Sequence, residues 1–145
     1  MTSRRGSGTR NLSEVRRVLI VDDNHDSAEL IALVLGREGH ETRVAHDAQD
    51  AVPLAVQFRP HIAFLDIGLP GMDGSELRRV LSAKPELAGC KFIAVTGYDE
   101  LAHEPNGAGF DGHLLKPIDL GVLVSTVMEV AQADARPSFA KPASA

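Results

Sequence analysis

Five side chains spread along the chain carry reactive chemistry: Asp22 and Asp23, Asp66, Thr96 and Lys116. Each closes an apolar run: "RVLIVDD" (17–23), "HIAFLD" (61–66), "CKFIAVTG" (90–97) and "GHLLKP" (112–117). An ionised carboxylate at the end of a buried run is costly unless something compensates it. Three carboxylates brought together repel, and at least one holds its proton unless a cation joins them. Hard oxygen ligands suit Mg2+, which takes one or two protein carboxylates and fills its octahedron with water and phosphate oxygens. A carboxylate beside such an ion can attack phosphorus and form an aspartyl phosphate. The transferred group then needs charge stabilisation on its equatorial oxygens. The cation, the Lys116 ammonium, and the Thr96 hydroxyl with nearby backbone N–H groups are suited to that task. Taken singly, a strand-end Asp reads as a cap or turn former, "TG" as a turn and "KP" as a loop start. Their recurrence at successive strand ends favours a site.

Such convergence requires strands that end at one edge. The runs 17–23, 61–66, 90–97 and 112–117, with "ETRVAH" (41–46), read as five strands, apolar along their length where they are buried on both faces. Helices are predicted over 25–38, 47–58, 73–83 and 118–133. The first has Ala28, Ile31, Val34 and Leu35 on one face and Gly39 as its stop. Asp47 caps the second, where Pro53 lies deep enough to predict a kink or a late start. Pro85 ends the third. Residues 98–111, "YDELAHEPNGAGFD", are expected to lack a full helix because Pro105, "NG" and Gly109 interrupt them. Strands alternating with helices imply a parallel sheet covered on both faces, with right-handed crossovers. Ligands of such sheets bind beyond the carboxyl ends of the strands.

With 145 residues, 43% hydrophobic and 24% charged, the chain has the size and composition of one globular domain. No run of eighteen apolar residues marks a membrane span, and the polar N-terminus has no secretory h-region. Cys90, the single cysteine, excludes an internal disulfide and is compatible with a reducing cytoplasm. The net charge of −5 is unevenly distributed. Residues 1–17 hold five Arg and one Glu, leaving 10 basic and 19 acidic side chains in the rest. Residues 1–16 read as a disordered basic tail and 133–145 as a second disordered tail, flanking a domain over 17–132. The acidic body argues against nucleic-acid binding by the domain itself.

"VLIVDDN", "AFLDIGLPGMDG", "FIAVTGY" and "HLLKP" resemble, in order and spacing, the motifs of the receiver domain of two-component response regulators. The resemblance covers roughly residues 17–132. It implies a flavodoxin-like α/β fold, a doubly wound five-stranded parallel sheet of strand order 2-1-3-4-5. It makes Asp66 both the phosphoacceptor and a metal ligand, and it favours Asp23 as the direct Mg2+ ligand, with Asp22 acting through water. The Gly68 carbonyl completes the metal set, Thr96 is the switch hydroxyl, and Lys116 is the conserved-type lysine, followed by a cis bond to Pro117. Where the family usually has Tyr or Phe as a second switch residue, this chain has His113. Tyr98, two residues after Thr96, is expected near the acceptor.

The implied function is a phosphorylation-controlled signalling switch rather than an enzyme, with self-phosphorylation and dephosphorylation dependent on Mg2+. A histidine kinase or histidine phosphotransfer protein is the expected donor and a downstream protein the target. No membrane contact is expected, and a phosphorylation-dependent homodimer is open. Only a short tail follows residue 133, so the expectation is a stand-alone cytoplasmic receiver or one cut from a larger chain such as a hybrid kinase. An aspartyl-nucleophile phosphatase is the first rival. It wants an acid two residues after the nucleophile, where Gly68 stands. A flavin-binding carrier of similar fold is the second. It needs a hydroxyl-rich phosphate loop, whereas "DDNHDS" is acidic.

Overall fold

The computed structural model describes residues 16–97 and 109–135. Strands and helices alternate along them: β1 (Arg17–Val21), α1 (His25–Arg37), β2 (Glu41–Ala45), α2 (Ala48–Phe58) and β3 (Ile62–Asp66). There follow α3 (Gly74–Ser82), a 3-10 turn (Pro85–Leu87), β4 (Lys91–Thr96), β5 (Gly112–Leu115) and α4 (Leu120–Ala135). All ladders are parallel, in the order β2-β1-β3-β4-β5. This is the flavodoxin-like order 2-1-3-4-5 expected from the sequence.

The reason lies in burial. Every residue of β3 is buried, as are four of five in β1 and five of six in β4. Side chains alternate across the sheet. Leu19, Val21, Leu65 and Phe92 therefore meet Ala55 of α2 and Leu77 of α3 on one face. Ile20, Phe64 and Val95 meet Ile31 and Leu35 of α1 and Leu123 of α4 on the other. β2 lies at an edge and leaves Glu41 and Arg43 exposed.

Helix starts are defined by side-chain caps. Asn24, Asp47 and Asp73 each accept a backbone N–H three residues on, at 2.9, 2.7 and 2.9 Å, each contributing about 1 kcal/mol. On α1 the buried stripe is Ala28, Ile31 and Leu35, and Val34 is only half-buried. Helix α2 starts at Ala48 and runs through Pro53, so the late start is corrected. Pro53 and Gln49 are both exposed, and the Gln49 carbonyl that proline leaves unpaired can be hydrated.

Two boundaries shift. Arg16, assigned to the tail by composition, is buried, and its backbone N–H donates to His40 Nδ1 at 3.1 Å. Helix α4 continues to Ala135, past the expected edge at 132. The Arg17 backbone N–H donates to His61 Nδ1, and Arg17 Nε donates to the carbonyls of Phe58 and Arg59. Arg59 closes α2 in the left-handed region, φ 55°, and the Arg17 side chain stabilises that turn. The expectations for Tyr98 and for residues 99–108 fall outside the described residues.

Candidate functional site

Register aligns the strand ends. Val21 pairs with Leu65, Asp66 with Val95, and Thr96 with Leu115. Asp22, Asp66, Thr96 and Lys116 therefore leave the sheet at one carboxyl rim. Asp66 and Asp22 are buried, 3% and 2% exposed, whereas Asp23 is open to solvent. Carboxylate oxygens of all three lie within 4.8 Å of one another.

Lys116 arrives from β5. Its backbone N–H donates to the Thr96 carbonyl at 2.7 Å, fixing the residue beside β4. Its Nζ lies 3.0 Å from Asp66 Oδ2 and 3.8 Å from Asp22 Oδ2. The bond to Pro117 is cis, as the resemblance implied. Asp66 Oδ1 accepts the Gly68 N–H at 3.0 Å, and Asp22 Oδ1 accepts the Asn24 N–H at 2.9 Å. Burial raises the Asp22 carboxyl from 3.8 to about 6, and the charge of Asp66 adds to it; the Asn24 N–H and Lys116 oppose the shift. Asp23 has no hydrogen bond or ion pair among the described residues.

Thr96 is 1% exposed, and its Oγ1 has no hydrogen-bond partner among the described residues. A buried hydroxyl without a partner is destabilising. Here it sits at the end of the strand next to Asp66. The oxygen donors, the crowded carboxylates and the raised Asp22 all fit a small hard cation such as Mg2+.

His113 is exposed, its ring centroid 6.3 Å from that of Phe110. Beside the rim, a groove of about 460 Å3 runs between α1 and the segment after β5, lined by Asn24, Ser27, Leu30, Lys116 and Pro117.

Two features escaped sequence reasoning. A Cβ on Gly74 would lie 2.7 Å from the Asp66 carbonyl oxygen, so only glycine lets α3 start against the end of β3. The sequence signal was the Gly directly after the Asp73 cap. The rings of His25 and His46 stack with centroids 3.6 Å apart and 3° between planes, next to Asp22. Nothing in the spacing of those histidines announces the contact.

A family model for the response regulator receiver domain matches residues 18–128. The REC domain of AraT, a response regulator from Geobacillus stearothermophilus, is 33% identical with TM-score 0.71, covering 82% of this chain and 95% of that one. A CheY-like response regulator receiver domain protein from Methanospirillum hungatei is 30% identical with TM-score 0.73, again covering 82% and 95%. The signal receiver domain of a signal transduction histidine kinase from Syntrophus aciditrophicus is 27% identical with TM-score 0.75, covering 85% and 95%. Fold, rim and family match agree: this chain belongs to the receiver-domain family of two-component response regulators. Its role is accordingly that of a phosphoacceptor switch in signalling. Among the described residues, no helix is long and apolar enough to cross a membrane.

Proposed function

We propose that Asp66 takes its phosphoryl group from the phosphohistidine of a histidine kinase or histidine phosphotransfer protein. An Asp66 carboxylate oxygen forms the new O–P bond as the donor N–P bond breaks, and the electron pair leaves with the donor imidazole. Asp22, Asp23, Asp66 and the Gly68 carbonyl are the residues that would hold Mg2+, which when bound supplies charge compensation at a phosphoryl oxygen. Lys116 neutralises a second oxygen, and the Thr96 hydroxyl donates a hydrogen bond to a third.

Phosphorylation thus provides the acceptor that the Thr96 hydroxyl lacks among the described residues. Drawing Thr96 toward Asp66 alters the adjoining β4–β5 edge, where His113 is exposed, and a downstream protein reads that surface. The groove beside Lys116 gives the donor a concave approach to the rim. A small acyl phosphate as donor, its carboxylate leaving with the electron pair, makes the cytoplasmic protein capable of Mg2+-dependent self-phosphorylation; attack of water on phosphorus, releasing the Asp66 carboxylate and inorganic phosphate, makes it capable of dephosphorylation.

The observation that carries this reading is a buried Asp66 within 4.8 Å of two further carboxylates and 3.0 Å from Lys116. Incubation with acetyl phosphate and Mg2+, followed by intact mass, tests it. The wild-type chain gains one phosphoryl group; Asp66→Asn and EDTA-treated protein gain none. Undiminished labelling of Asp66→Asn overturns the assignment.

A further inference from the structure

We propose that His46, steadied by the stacked ring of His25, is a positioning residue for the cation-binding carboxylate of Asp23. The inference rests on the rim being a divalent-cation site.

Asp23 is the one exposed carboxylate of the three, and no side-chain contact holds it among the described residues. Its placement therefore depends on its backbone. The peptide group joining Asp22 to Asp23 has a specific restraint: the Asp22 carbonyl lies 3.0 Å from His46 Nδ1. A carbonyl oxygen only accepts, so Nδ1 carries the proton and donates. On its other side, the Asp22 N–H donates to the Ala45 carbonyl at 3.1 Å. Residue 22 is thus held at both backbone groups by the end of β2, from two consecutive residues, Ala45 and His46.

His46 is itself oriented. Its ring lies parallel to that of His25, the first residue of α1, at 3.6 Å. The stack closes a circuit from β2 to α1, and the loop bearing Asp22 and Asp23 lies inside it. Two rings in parallel planes 3.6 Å apart cannot both point an in-plane lone pair at one metal. The pair is therefore not a chelate, and its effect on a cation acts through Asp23. Mg2+ is exacting about ligand geometry, and loss of an outer-shell hydrogen bond typically costs about 10- to 100-fold in metal affinity.

Calorimetric titration of the full chain with Mg2+ tests this through affinity rather than activity. His46→Phe keeps a ring for the stack but has no donor, and should weaken Mg2+ binding about tenfold. His46→Asn places an amide nitrogen the same number of bonds from Cα as Nδ1 and should restore most of the affinity. His25→Ala should weaken binding several-fold and His25→Phe should not. Melting in EDTA close to that of the wild type confirms that a variant is folded, and either histidine suffices if the other variant is not. Wild-type affinity in both His46→Phe and His25→Ala overturns the inference, and so does equal loss in His46→Phe and His46→Asn. Failure of the cation reading looks different: the wild-type chain itself binds no Mg2+, or Asp23→Ala binds it unchanged.

Discussion

Lys116 Nζ stands 3.0 Å from Asp66 Oδ2 across fifty residues of chain, and the same ammonium reaches Asp22 at 3.8 Å. One cation thus serves two buried carboxylates. Removing it leaves both uncompensated, a change far more costly than the loss of a surface ion pair. Because the Lys116 side chain is 35% exposed, water tempers the effect. Lys116→Met is expected to lower unfolding stability in EDTA by about 1–3 kcal/mol. Urea denaturation measures it, with millimolar Mg2+ recovering part of the loss.

Asp22 makes the metal-free protein sensitive to pH. Its folded value, about 6, is above the ordinary 3.8, so the fold favours the protonated carboxyl. That contribution is complete below about pH 4 and is lost as pH rises through about 6. The gap corresponds to about 3 kcal/mol at most. In EDTA near neutral pH, Asp22→Asn should therefore unfold at higher urea than the wild type, and the advantage should shrink toward pH 4. Added Mg2+ should stabilise the wild type by mass action and Asp23→Ala much less. Identical curves for the wild type in Mg2+ and in EDTA would count against the metal site.

Thr96 supplies a test with opposite signs in the two states. Val has nearly the shape of Thr but no hydroxyl to leave unsatisfied. Thr96→Val is expected to stabilise the unphosphorylated chain by about 1 kcal/mol. It should also abolish the response of β5 resonances to beryllofluoride, whereas Thr96→Ser should retain it. A destabilised Thr96→Val would mean that the hydroxyl is satisfied in the resting protein.

Two glycines should respond in opposite directions. Gly74→Ala forces a Cβ to within 2.7 Å of the Asp66 carbonyl oxygen and should destabilise by about 1–3 kcal/mol. Gly36 lies in α1 with nothing within 4 Å of an added Cβ. Gly36→Ala should stabilise by about 1 kcal/mol. Thermal melts of the two variants against the wild type decide both signs.

The apolar runs of β1, β3 and β4 are readable in sequence because a strand buried on both faces cannot interrupt its apolar run until the chain leaves the core. Each of these runs ends on the polar residue that marks the rim, which is why Asp22, Asp66 and Thr96 stand out from the pattern of residues alone; Lys116 follows β5, of which only Leu114 is buried. Asp47 is legible for a similar local reason, since a cap is set by its own next three residues. Tertiary structure decided what depends on distances between separate loops. It seated Lys116 against two carboxylates, left the Thr96 hydroxyl without a partner among the described residues, brought Gly74 onto the end of β3 and laid His25 on His46. It also exposed His113 and let α2 run through Pro53, because exposure is set by which face of an element meets the core. Strand ends follow from local hydrophobicity; the contacts among them follow from parallel register, which brings together residues that sequence distance keeps apart.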